Sequence, residues 1–145
     1  EIAHYWWSIA DVNTPDDWIN EGLAEYSAFI VSKTMIGEEF TNQLLKEYKQ
    51  RVESTETETA IALTENNSPD REVNRYDKAV LMFNEAAQKF GKENLHLFLK
   101  TLYERFAGTG NLTTALFLQY ARSRMGTEAE NFFETALYDP DWKGE

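Results

Sequence analysis

Three features of the sequence predict an all-α fold. Apolar residues recur at three- and four-residue intervals through most of the chain, and no stretch sustains the apolar/polar alternation of a half-buried strand. Seven glycines and three prolines in 145 residues leave long uninterrupted segments between them. The expected architecture is a single helical domain over 1–145 in which about seven helices pack as a bundle or array.

The first helix is expected from the start of the chain through about Ile9. Pro15 with Asp16 and Asp17 then supplies a loop and an N-cap for a second helix near Trp18, which carries Ile19, Leu23, Tyr26, Phe29 and Ile30 on one side. Gly37 separates it from a third, marked by Phe40, Leu44, Leu45, Tyr48 and Val52. The text then turns polar, and residues 55–70 read as a long exposed loop around the short apolar patch Ile61 to Leu63. A fourth helix follows with Val73, Tyr76, Val80, Phe83, Ala87 and Phe90 as its buried stripe and Gly91 as its stop. Leu95, Phe98, Leu102 and Phe106 mark a fifth, which the Gly108 to Asn111 stretch breaks. Leu116, Phe117, Tyr120, Ala121 and Met125 mark a sixth, and Phe132, Phe133, Ala136 and Leu137 a seventh. The last residues, 139–145, read as a chain leaving the domain.

Composition narrows the function classes. With 42% hydrophobic and 14% aromatic residues the chain has enough apolar surface for a real core. A net charge of -11 disfavours nucleic acid and anionic lipid as partners. The absence of cysteine excludes disulfides, iron–sulfur clusters and thiolate zinc sites, so any metal must be held by His, Asp or Glu. No apolar run approaches the ~20 residues that span a bilayer.

The chemically informative text comes first, with Glu1-Ile-Ala-His4-Tyr-Trp-Trp7 followed by Asn20-Glu21-Gly22-Leu-Ala-Glu25-Tyr26. In an H-E-x-x-H helix two histidines four apart reach one Zn²⁺, and the glutamate between them can take a proton from a zinc-bound water. The sequence supplies E-x-x-H. A histidine before Glu1 in the parent protein would complete the motif, and the chain would then begin one residue inside it. A third ligand in such sites is a carboxylate from a neighbouring helix, and Glu21 is placed to be one, sixteen residues having been left between it and His4 for a turn at Pro15.

The second of these stretches resembles the N-E-G-x-A-x-Y signature of the aminopeptidase N-like zinc metallopeptidases, a gluzincin family, and the paired Trp6-Trp7 also matches. Tyr76-Asp77-Lys78-Ala79 is similar to that family's Y-x-K-G stretch. The resemblance implies the helical half of a thermolysin-like catalytic domain and hydrolysis of peptide bonds in a peptide or protein substrate. It implies Glu1 as general base, His4 and Glu21 as zinc ligands, and Tyr76 as the hydroxyl that stabilises the oxyanion. For Tyr76 the plainer alternative is a half-buried tyrosine at a helix start. Glu25, one turn after Glu21, either orients a ligand histidine or is a solvated glutamate. The sequence departs from the family in a shorter gap between His4 and Glu21, in Ala79 for glycine, and in Ser8 where glycine is common.

Read as a fragment, the chain is expected to be inactive and to bind zinc weakly or not at all, with Zn²⁺ belonging to the intact parent. Apolar faces that met the rest of the parent would be exposed, a route to dimerisation. The rival from another class is a non-catalytic scaffold or interaction domain that keeps the fold without the ligands. Trp6, Trp7 and Trp18 are expected to pack the two ligand-bearing segments together, His96 to be structural, and Lys78 to be an ion-pair partner.

Overall fold

The computed structural model of the chain describes residues 2–145, the side chains of residues 2 and 4 excepted. Among the described residues there are six α-helices and no strand. They are α1 (Trp18–Met35), α2 (Glu38–Ser54), α3 (Ala79–Phe90), α4 (Lys92–Phe106), α5 (Thr114–Met125) and α6 (Thr127–Tyr138). Single 3₁₀ turns occur at Ile2–Tyr5, Pro15–Asp17 and Ile61–Leu63, and a π-helical segment, Val73–Lys78, leads directly into α3.

The helix expected from the start of the chain through Ile9 is therefore one 3₁₀ turn. Beyond it, the amides of Ile9 and Ala10 donate to the side-chain oxygen of Asn20, at 3.0 and 3.1 Å. Those donors are lost to an i−4 ladder, so the helix stops and the chain runs back along the start of α1.

The core is built around aromatic rings from five helices. Phe117 of α5 packs edge-on against Trp18 of α1, Phe98 of α4 and Phe133 of α6, each at 5.2 Å between ring centres. Phe83 of α3 closes the cluster against Trp18 and Phe117, and all five rings are buried. Edge-to-face pairs of this kind add specific geometry to a large apolar burial. The indole N–H of Trp18 donates to Thr114 Oγ1 at 2.8 Å, and Asp16 accepts from the same hydroxyl and from the Thr114 amide, so the starts of α1 and α5 are locked together.

Helices α1 and α3 approach closely at Gly22. A β-carbon there would lie 2.7 Å from Ala79 Cβ and 3.4 Å from the Arg75 carbonyl oxygen, which is closer than carbon atoms pack. Gly91 (φ 89°) turns α3 sharply into α4 in a conformation that other residues rarely adopt.

Two expectations about the irregular parts of the chain are revised. Within 55–70, Ala60, Ile61, Ala62, Thr64 and Asp70 are buried, so the segment is only partly exposed. The tail after α6 does not leave the domain. Lys78 donates to Thr57 Oγ1 and to the Pro140 carbonyl at 2.9 and 2.7 Å, and Trp142 packs against the core.

The Gly22/Ala79 contact predicts a compensating pair. Gly22→Ala should destabilise the protein by about 1–3 kcal/mol through overpacking, and Ala79→Gly alone by about 1 kcal/mol through helix propensity. In the double variant the clash is gone, so its loss in urea unfolding should be smaller than the sum of the two. Strict additivity would show that the helices part freely at this crossing.

Candidate active site

The site lies where the start of α1 meets the π-helical segment. Asp17, the last residue of the 3₁₀ turn before α1, is one turn from Glu21 of α1, and Arg71, two residues before the π-helical segment, is one turn from Arg75 within it. Arg75 donates to Asp17 Oδ2 at 2.9 Å, and Arg71 donates to Glu21 Oε1 at 3.0 Å. Arg71 also lies 3.6 Å from Asp17, so three ion pairs link the four charges in an alternating square between the helices.

Arg75 is fully buried, and its remaining contacts are polar. It donates to the Thr64 carbonyl and to Asn66 Oδ1, both at 2.7 Å. Burial draws its guanidinium below the ordinary arginine value against the opposing pull of Asp17. Burial likewise raises the Asp17 carboxyl, and the hydrogen bond from Asn20 and the two arginines only partly offset it. Asn20 completes the arrangement by donating to Asp17 Oδ1 and to the Ala10 carbonyl, both at 3.0 Å.

Tyr76 belongs to the same cluster. The Arg71 guanidinium lies over its ring, 5.8 Å from its centre, and the Glu21 carboxylate and Arg71 are both close enough to its hydroxyl to influence its titration. Burial, then the adjacent carboxylate, pushes the hydroxyl up to about 12, so at neutral pH it stays protonated and available as a donor. The wide π-turn carries it there, and turns of this kind recur at functional sites. Trp7, Ser8, Val12, Asp17, Asn20, Glu21, Asn66 and Arg71 line a cleft of about 470 Å³ beside the cluster. Trp7 forms a common wall with a second, more apolar groove of about 410 Å³ between α1 and α4.

Of the residues singled out in the sequence, Glu21 and Tyr76 are brought together. Glu1 and the side chain of His4 lie outside the described residues. The hydrogen bond to Glu25 comes from Tyr48 of α2 at 2.7 Å, which helps fix α2 on α1. His96 pairs with the Tyr26 hydroxyl at 3.3 Å, Trp7 donates to Ser27 Oγ at 2.8 Å, and the buried Lys78 serves the tail. The sequence reading missed Asp17, Arg71, Arg75 and Asn66. The only signal for the first three was the matching four-residue spacing of two acids and two bases.

The fit to a zinc site is partial. Glu21 offers a carboxylate at the cleft wall with a protonated hydroxyl beside it, as one ligand and one oxyanion donor require. Among the described residues no three His, Asp or Glu residues cluster as a metal-holding set, and one oxygen of Glu21 is engaged by Arg71.

No protein-family model and no curated protein matches the sequence. Among solved structures, the M1 zinc metallopeptidase from Deinococcus radiodurans superposes with a TM-score of 0.83 at 18% identity, over 96% of this chain. A mutant of that enzyme bound to a Tyr-Ser-Ala substrate gives 0.82 over 94% of this chain, also at 18% identity. A two-domain M1 zinc metallopeptidase mutant bound to L-tryptophan gives 0.83 over 96%, again at 18%. The fold is that of the helical part of an M1 peptidase. The chain spans about a third of the length of each, 31–32%.

The loop that leads into the site is tied down by Asp70, which accepts from the amides of Glu58 and Thr59, from the Thr59 hydroxyl and from Ser68. Burial raises its carboxyl, but these hydrogen bonds outweigh that and hold it below the ordinary 3.8. Because the folded value is depressed, its contribution is present above the unfolded value and is lost as pH falls through the folded one. Asp70→Asn should therefore cost about 1–3 kcal/mol at pH 7. In denaturant titrations across pH the gap to the parent should close below about pH 4, and a gap that persists at pH 2 would contradict this account.

Proposed function

We propose that this chain is the helical part of a zinc-dependent peptidase of aminopeptidase type and that its cleft is one side of the catalytic site. The observation that carries the reading is the meeting of Glu21 and Tyr76, residues from two separate stretches that each resemble a motif of such enzymes. The M1-like fold supports it.

In the intact protein His4 and Glu21, with a histidine preceding Glu1, would hold the zinc. Zinc supplies a Lewis acid that polarises the scissile carbonyl and acidifies the attacking water. Glu1 takes the proton from that water and delivers it to the leaving amine, which leaves the base ready for the next turnover. Tyr76, protonated through the working pH range, donates its O–H to the oxygen on which negative charge develops. Trp7 and the Asn20 clamp shape the near wall of the cleft.

The second reading, a scaffold without catalysis, is favoured by one specific contact, the Arg71 guanidinium on the Glu21 carboxylate where a metal would otherwise supply positive charge. The full-length protein separates the two. On the first reading it carries one zinc per chain and hydrolyses aminoacyl arylamides, and Glu1→Gln abolishes turnover while keeping the metal. A full-length protein without zinc would make the scaffold reading the better one. Tyr76→Phe should lower kcat by about 10²–10³-fold, the usual loss of one oxyanion donor. The 145-residue chain alone should release zinc on dialysis.

A further inference from the structure

The charge square contains more than charge balance requires. Arg75 alone neutralises the buried Asp17, and its two terminal nitrogens also donate to Thr64, Asn66 and Thr14, so it is an anchor set into the loop. Arg71 differs. It sits at the cleft wall, about a quarter exposed, and touches Glu21 and Tyr76, two of the residues to which the proposed chemistry assigns a role. Asp17, fixed by Arg75 and Asn20, stands 3.6 Å behind it.

We propose that Arg71 is a positioning residue: it holds Glu21 and Tyr76 in one arrangement, and the Asp17–Arg75 pair holds Arg71. This rests on the zinc-peptidase reading above. The physical ground is that a glutamate side chain surrenders rotamer freedom when it is fixed. A charge-assisted hydrogen bond from a planar, always-charged donor settles that cost before any ligand arrives. Because the same guanidinium also contacts Tyr76, a single side chain sets the distance between a ligand oxygen and the oxyanion donor. A lysine at 71 would keep the charge and lose the fork.

The test uses full-length protein with Arg71→Met, Arg71→Lys, Tyr76→Phe and, as a surface control, Arg105→Met on α4. Zinc affinity is measured by competition with a chelator, alongside kcat, KM and thermal unfolding. Loss of partners outside the ligand set typically costs 10–100-fold in affinity or activity. Arg71→Met should accordingly weaken zinc binding by about 10–100-fold and lower kcat, with KM little changed and the melting temperature close to the parent's. Arg71→Lys should fall between the two. Tyr76→Phe should lower kcat at unchanged zinc affinity, and Arg105→Met should change neither.

Unchanged zinc affinity and kcat in folded Arg71→Met overturns the proposal. So does tighter zinc binding, which would make Arg71 a competitor for Glu21. If Arg71→Met does not fold, Arg71→Lys decides: parental affinity and kcat there overturn the specific role of the guanidinium fork. Failure of the parent itself to bind zinc removes the underlying peptidase reading, and this proposal with it, a result distinct from a variant that binds as the parent does.

Discussion

The buried pair of Asp17 and Arg75 is the interaction on which the rest of the arrangement depends. Taking two charges out of water is costly, and mutual attraction alone seldom repays it. Here the cost is offset by further hydrogen bonds to both partners, although Arg75 Nε is buried without one. Arg75 adds hydrogen bonds to Thr64 and Asn66, and Asp17 adds one from Asn20. The pair joins three parts of the chain: the entry to α1, the loop before the π-turn, and the π-turn itself. An apolar pair of equal volume would hold the helices together equally well. It would not specify which turn faces which.

That register matters because the site is made at element starts. The polar scaffold around it is nearly continuous: Asp70 gathers the loop amides, Asn74 donates to Thr64 Oγ1 at 2.8 Å and to the Thr59 carbonyl, and Thr64 in turn receives Arg75. On the far side, Arg51 of α2 grips Asp77 with two hydrogen bonds of 2.9 and 2.7 Å, and Tyr48 holds Glu25. Four consecutive-turn polar residues, Asn74, Arg75, Asp77 and Lys78, are all buried, and each reaches a different part of the protein. The wide π-turn accommodates this. An α-helix would place one stripe inward, whereas these side chains leave the segment in several directions.

This explains what was legible in the sequence and what was not. Helices α1 to α6 were readable because their buried faces repeat at helical spacing, and Gly37 and Gly91 mark boundaries where a positive φ is required. The aromatic core at Phe83, Phe98, Phe117 and Phe133 follows from the same periodicity. The first segment was not readable. Its apolar residues suit a helix, but a side chain eleven positions away captures the amide of Ile9, and periodicity carries no record of such a competitor. The stripe expected for the fourth helix holds at Val80 and Phe83, and its first turn departs in the opposite sense. Val73 and Tyr76 are only half-buried, while charged neighbours that read as surface lie inside, because tertiary partners satisfy them. Of the site, Glu21 and Tyr76 came from motif resemblance, whereas the arginines that join them are visible only once two helices are laid together.

The order Asn20-Glu21-Gly22 has a physical meaning. Each residue faces a different neighbour. Asn20 clamps the segment that ends at Ile9 and Ala10, Glu21 enters the charge square, and Gly22 lets α3 approach to the distance at which Tyr76 reaches Glu21. Ala79 fills the crossing from the other side with a single methyl group, so the bulk tolerated at 79 depends on its absence at 22. The clamp also bears on the short interval between His4 and Glu21. Ile9 is fastened on one side to Asn20 and on the other accepts from the Leu112 amide at 2.9 Å. The chain between His4 and Glu21 thus has a fixed point beside α1 at Ile9.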